Sequence, residues 1–158
     1  MDMNIMIVDD NKIDLFVGQK IIEKVSAGSN IRTFTSANAA IVFLKILEGK
    51  DVYPTMFTPD IILLDINMPE MDGFQFLDEF NKLTRINKTK IKIYMLSSST
   101  NSQDIKKAQN QNSCVGFLNK PLTTSNFEKI AVEFRPYLNR FDAEAEDVSL
   151  FSDRMRLQ

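Results

Sequence analysis

Five short apolar runs alternate along this chain with stretches of helical period, and that alternation restricts the fold more than any other feature. "NIMIV" (4–8), "NIRTF" (30–34), "IILLD" (61–65), "KIYML" (92–96) and "VGFLN" (115–119) read as strands. The first and third lack polar alternation, as expected of parallel strands covered on both faces. "KIDLFVGQKIIEKV" (12–25) changes period, with Ile13, Phe16, Val17, Ile21 and Val25 on one helical face. "SANAAIVFLKILEG" (36–49) reads as a second helix, with Ser36 as its cap and Gly49 past its end. Pro54 and Pro59 mark a loop over 51–60, and "GFQFLDEFNKL" (73–83) reads as a third helix. A weaker polar helix is expected at "SQDIKKAQNQ" (102–111). A fifth, "SNFEKIAVEF" (125–134), opens on Ser125-x-x-Glu128 and carries Phe127, Ile130, Ala131 and Phe134 as its apolar face. Strand and helix repeated in this way imply βαβ units, right-handed crossovers and an α/β fold with helices on both faces of a parallel sheet.

Composition then excludes several functions. At 158 residues the chain has the size of one domain with a real core. It has no histidine, which removes the commonest general base, the commonest zinc ligand and any phosphohistidine on this chain. Cys114 is the only cysteine, so no intrachain disulfide forms and a reducing compartment fits. A net charge of -2 gives no electrostatic case for nucleic acid. No signal peptide is read at the N-terminus and no run is long enough for a membrane span, so a cytoplasmic location is the expectation.

In open α/β sheets ligands bind beyond the carboxyl ends of the strands. Asp9 and Asp10 follow the first strand. Asp65 ends the third, with Asn67 two residues on. Ser97, Ser98 and Ser99 follow the fourth, and Lys120-Pro121 the fifth. The expectation is that these groups converge on one rim, with Asp65 delivered to a cleft rather than held inside the sheet. Three carboxylates this close repel one another unless a cation sits between them. Oxygen donors without histidine or cysteine favour a hard ion such as magnesium. A lysine and a hydroxyl can stabilise phosphoryl oxygens, and a carboxylate can be the nucleophile. The residues alone therefore point to phosphoryl transfer onto an aspartate, assisted by Mg2+. Taken singly, each feature also has a structural reading: Asp9-Asp10 a solvated strand end, the serines a helix cap, Lys120-Pro121 a turn, Phe117 core. Asp72-Gly73 reads as a turn or cap before the third helix. Lys82, Arg85, Lys88, Lys90 and Lys92 read as a solvated loop face.

"LLDINMPEMDG" (63–73), "VDDN" (8–11), "MLSSS" (95–99) and "FLNKPL" (117–122) together resemble the receiver domain of two-component response regulators, most closely the stand-alone, chemotaxis-type kind. The resemblance covers about residues 3 to 138 and implies a five-stranded parallel sheet in the order 2-1-3-4-5, doubly wound in the flavodoxin-like manner. It implies that Asp65 is the phosphoacceptor. It makes Asp10, the Asp65 carboxylate and the backbone carbonyl of Asn67 magnesium ligands, with Asp9 acting in part through water. It makes Ser97 the switch hydroxyl, Phe117 the switch aromatic and Lys120 the partner of the phosphoryl group, with a cis Lys120-Pro121 bond. Asn67 and Ser99 would border the path of the attacking water. Such a protein is not an enzyme but a switch that catalyses its own phosphorylation and dephosphorylation. Its partners are a sensor histidine kinase or phosphotransfer protein and a downstream protein target, with no nucleic acid and no membrane. The alternative is a pseudo-receiver, an interaction module that is not phosphorylated. A flavodoxin-like cofactor binder fits poorly, because "DDNK" is acidic where a phosphate cradle needs glycines.

The expected organisation is a receiver domain over 1–138 and a C-terminal helical extension over 139–158, with no effector domain. Pro136 should end or kink the fifth helix. In "DAEAEDVSLFSDRMRLQ" (142–158), Ala145, Val148, Phe151 and Met155 form an apolar stripe. It would pack on its own receiver or on a second copy of the chain, giving a homodimer.

Overall fold

The most apolar runs take the middle of the sheet. The computed structural model describes residues 3–48, 57–98, 106–108 and 111–134. Strands β1 (Asn4–Val8), β2 (Asn30–Phe34), β3 (Ile61–Asp65), β4 (Lys92–Ser97) and β5 (Cys114–Asn119) form one parallel sheet in the order β2-β1-β3-β4-β5. Burial follows position. Every residue of β3 is buried, β1 and β4 are buried after their first residue, and the edge strands β2 and β5 keep exposed positions. The sheet is parallel, as the strand–helix alternation requires, and it has the doubly wound, flavodoxin-like order 2-1-3-4-5 that the resemblance implied.

Helices α1 (Lys12–Val25), α2 (Ala37–Glu48) and α3 (Gly73–Lys82) make the crossovers, and residues 106–108 are helical between β4 and β5. Ser36 does cap α2, its Oγ accepting the Ala39 N–H at 3.2 Å. Asp72 caps α3 in a reciprocal box with Gln75, so the Asp72-Gly73 pair is a cap, as read from the sequence. Ala40, Ile41 and Leu44 of α2 and Phe76, Leu77 and Phe80 of α3 join Met6, Val8, Ile62, Leu64, Ile93 and Met95 of the sheet in one core cluster. Each of the larger of these side chains (Val, Leu, Ile, Met and Phe) contributes about 1.5–3 kcal/mol when removed from water.

Helix α1 departs from the expected face. It buries Leu15, Gly18 and Ile22, while Ile13 and Phe16 stand 71% and 60% exposed. The contact runs through a glycine, whose small size lets the helix approach β1: a Cβ at Gly18 would already lie 3.5 Å from Ile7. A count of apolar residues does not register that position.

Met1–Thr124 forms one compact unit and Ser125–Gln158 a second. Residues 124–134 are helical, so Ser125 lies in the first turn rather than at the cap. Phe127, Ile130, Ala131 and Phe134 are buried. The Pro136 kink, the 139–158 extension with its stripe, most of the 51–60 loop and most of the 102–111 helix lie outside the described residues. No helix among the described residues is long and apolar enough to cross a membrane.

Candidate functional site

Three strand ends and the first turn of α1 converge at the carboxyl edge of the sheet. β1 runs on to Asp9, whose N–H donates to the Phe34 carbonyl at 3.0 Å. Asp9 is only 1% exposed, and its Oδ1 accepts the Asn11 N–H at 2.9 Å. Asn11 in turn caps α1 by accepting the Ile13 N–H. The run Asp9-Asp10-Asn11 therefore buries its first carboxylate, exposes its second and starts a helix with its third residue.

Asp65 is the last residue of β3, in register with Leu96, and is 3% exposed. It thus stands at the sheet's rim, as the sequence suggested, but as a buried, paired residue of the strand itself. The polar end is tolerated because a cation meets it there. The chain leaves β3 through Ile66, whose N–H donates to Leu96, and turns at Pro69-Glu70-Met71. Glu70 adopts a positive φ of 65°, and the Met71 N–H reaches the Pro69 carbonyl at 2.7 Å. The chain then returns so closely at Gly73 that a Cβ there would lie 2.6 Å from the Asp65 carbonyl oxygen.

Lys120 follows β5. Its N–H donates to the Ser97 carbonyl at 2.7 Å, which ties the ends of β4 and β5 together, and the Lys120-Pro121 bond is cis. Lys120 Nζ lies 2.7 Å from Asp9 Oδ2, 3.0 Å from Asp65 Oδ1 and 3.2 Å from Asp14 Oδ2. Desolvation works against the charge on Lys120, but hydrogen bonds to Asp9 and Asp65 and the fields of both outweigh it. Its pKa is raised, and it stays an ammonium. Burial pushes the Asp9 carboxyl up, against the pull of Lys120 and the Asn11 N–H.

The structure brings Asp9, Asp10, Asp65 and Lys120 together. Ser97 is fully buried at the end of β4. Phe117 is partly buried and packs against the core cluster, in register with Met95. Asn67 is exposed in the turn after β3, and Ser99 lies outside the described residues. Asp14 was not singled out in the sequence. Its place in the first turn of α1 was readable, but the rotation of the helix that turns it toward Lys120 was not.

Carboxylate oxygens of Asp9, Asp10 and Asp65 all lie within 4.8 Å of one another. The donor set is oxygen only, strongly negative and partly open through exposed Asp10, which fits a hard divalent cation and not a soft one.

The response regulator receiver domain family matches residues 5–131. A probable methanogenesis regulatory protein, FilR2, from Methanothrix harundinacea is 25% identical over 133 residues, spanning 84% of this chain and 81% of that one. Several other curated relatives are longer, and the chain spans a quarter or less of each. A two-component response regulator from Cytophaga hutchinsonii superposes with a TM-score of 0.72 at 30% identity, over 84% of this chain and 96% of that one. The phosphorylated cyanobacterial phytochrome response regulator RcpA superposes with a TM-score of 0.66 at 25% identity, over 85% and 93%.

Proposed function

The chain belongs to the response regulator receiver domain family, and from that premise we propose that it is a signalling switch that accepts a phosphoryl group on Asp65. One observation carries the reading: a single ammonium, Lys120, spans Asp9 and Asp65 at 2.7 and 3.0 Å beside a three-carboxylate cluster. That combination suits a carboxylate nucleophile whose charged product must be stabilised.

Asp9, Asp10 and Asp65, with the Asn67 backbone carbonyl, would hold Mg2+. When bound, the ion would offset the repulsion among the carboxylates and the charge of phosphoryl oxygens. The Asp65 oxygen forms the new O–P bond as the donor's bond to phosphorus breaks, its electron pair leaving with the donor group. The Lys120 ammonium then pairs with a phosphoryl oxygen, and the Ser97 hydroxyl donates to another. Drawing the end of β4 inward makes room for Phe117 to turn, and this differential contact biases the equilibrium between two states. Phe117 lacks a hydroxyl, so neither state gains a hydrogen bond from it.

The donor would be a sensor histidine kinase or a phosphotransfer protein in the cytoplasm, and the output a contact with a downstream protein. The receiver would extend over 1–138, with 139–158 as a docking or dimerising extension. Chemically the protein is a phosphoacceptor that promotes its own phosphorylation and dephosphorylation, not an enzyme acting on a separate substrate. Incubation with acetyl phosphate and Mg2+, followed by phosphate-affinity electrophoresis, tests this. The parent chain should shift and Asp65→Asn should not. An equal shift in both would overturn the assignment.

A further inference from the structure

We propose that Asp14 is a positioning residue for Lys120, holding part of the ammonium away from Asp65 and thereby slowing phosphoryl uptake. The inference rests on the phosphoacceptor reading above. Two of the three carboxylates around Lys120, those of Asp9 and Asp65, belong to the cluster whose oxygens lie within 4.8 Å of one another. A cation bound there would compensate both. Asp14 stands outside that cluster and pairs with Lys120 at 3.2 Å. It is also well held: it sits in the first turn of α1, where the helix dipole favours an acid. With Lys120, Val17, Gly18 and Leu122 it lines one small cavity, its side chain about one third exposed at 31%.

Once Asp65 carries a phosphoryl group, the new oxygens and the Asp14 carboxylate compete for the same ammonium. Charge at Asp14 also repels an incoming anionic donor. Both effects act in one direction, so removing that charge speeds uptake.

Phosphoramidate is a suitable donor. The Asp65 oxygen forms an O–P bond while the P–N bond breaks, and its electron pair stays on nitrogen, which leaves as ammonia. Initial uptake by the full chain is followed by intact mass at several subsaturating phosphoramidate concentrations, with Mg2+ fixed, at low and high salt. Asp14→Asn should take up phosphoryl groups about two- to fivefold faster than the parent, the range of a partly exposed charge interaction. The advantage should shrink at high salt, and Asp14→Glu should restore the slower rate. A role confined to supporting α1 would give neither the salt dependence nor the rescue. Equal or slower uptake by Asp14→Asn, or fast uptake by Asp14→Glu, would overturn the inference alone. No uptake by the parent would overturn the phosphoacceptor reading and this inference with it.

Discussion

Lys120 sits in a field that it cannot neutralise. Asp9, Asp14 and Asp65 each pair with it, and Asp10 adds a fourth negative charge to the same edge. Such a cluster lowers stability, because like charges are held closer than they would choose. Asp10 is the member that can be neutralised without orphaning Lys120, since it is exposed and its carboxylate is not among that lysine's partners. Asp10→Asn should therefore raise the thermal midpoint in magnesium-free buffer by about 2–4 °C, and it should reduce the further rise that added Mg2+ gives the parent. Calorimetry with and without Mg2+ checks both effects. A lower midpoint for the variant in chelator would show that Asp10 stabilises the fold by some contact other than this cluster.

The elements explain why the charges meet at all. The turn after β3 brings the start of α3 back to the strand's end: the Gly73 N–H donates to the Ile66 carbonyl at 2.9 Å, which folds the connection over the Asp65 backbone. A methyl group at Gly73 would meet Asp65 O at 2.6 Å, Ile66 Cα at 3.0 Å and Met95 Cε at 3.1 Å. Two of those three atoms are backbone and cannot give way alone. Gly73→Ala should cost about 1–3 kcal/mol, read from urea unfolding, and should slow phosphoryl uptake by displacing Asp65; parental stability would refute the close approach. At the opposite end of the sheet, Asp60 joins β1, β3 and β4. Its carboxylate accepts the Asn4 N–H at 2.8 Å, its N–H donates to Asn4, and its carbonyl accepts from Lys92 at 2.9 Å. Burial raises its pKa above 3.8, against the lowering effects of the Asn4 N–H and Lys90. The folded state therefore binds this proton more tightly than the unfolded one, and stability is lost as pH rises from the ordinary aspartate value through the raised one. Asp60→Asn removes that loss while keeping an acceptor for Asn4. Its stability relative to the parent should climb across this window and then level off. Urea unfolding of both proteins along a pH series measures the difference, and a gap that stays constant or narrows would contradict the assignment.

At the scale of the molecule, the parallel sheet and the convergence of Asp9, Asp10, Asp65 and Lys120 were legible from chain order, while the strand order 2-1-3-4-5 was legible only through the resemblance to receiver domains. Strands that alternate with helices can be parallel only in a few ways, and the residues just past each strand land on one edge. The features that were not legible depend on rotation and close approach. The face of α1 was misread because Gly18, not Ile13 or Phe16, makes the contact. Asp14 was missed for the same reason, since its reach to Lys120 depends on how that helix is turned. Asp65 was read as standing at the rim outside the sheet, whereas it pairs within β3 and is buried, with Lys120 supplying the counter-charge that permits this. The account as a whole stands on Asp65 as the acceptor. The most direct measurement treats the full chain with phosphoramidate and Mg2+, reduces it with borohydride, which converts an aspartyl phosphate to homoserine, and maps the peptides by mass. The account predicts homoserine at position 65 and at no other aspartate; homoserine at position 9, 10 or 14 instead, or none at all, would contradict it.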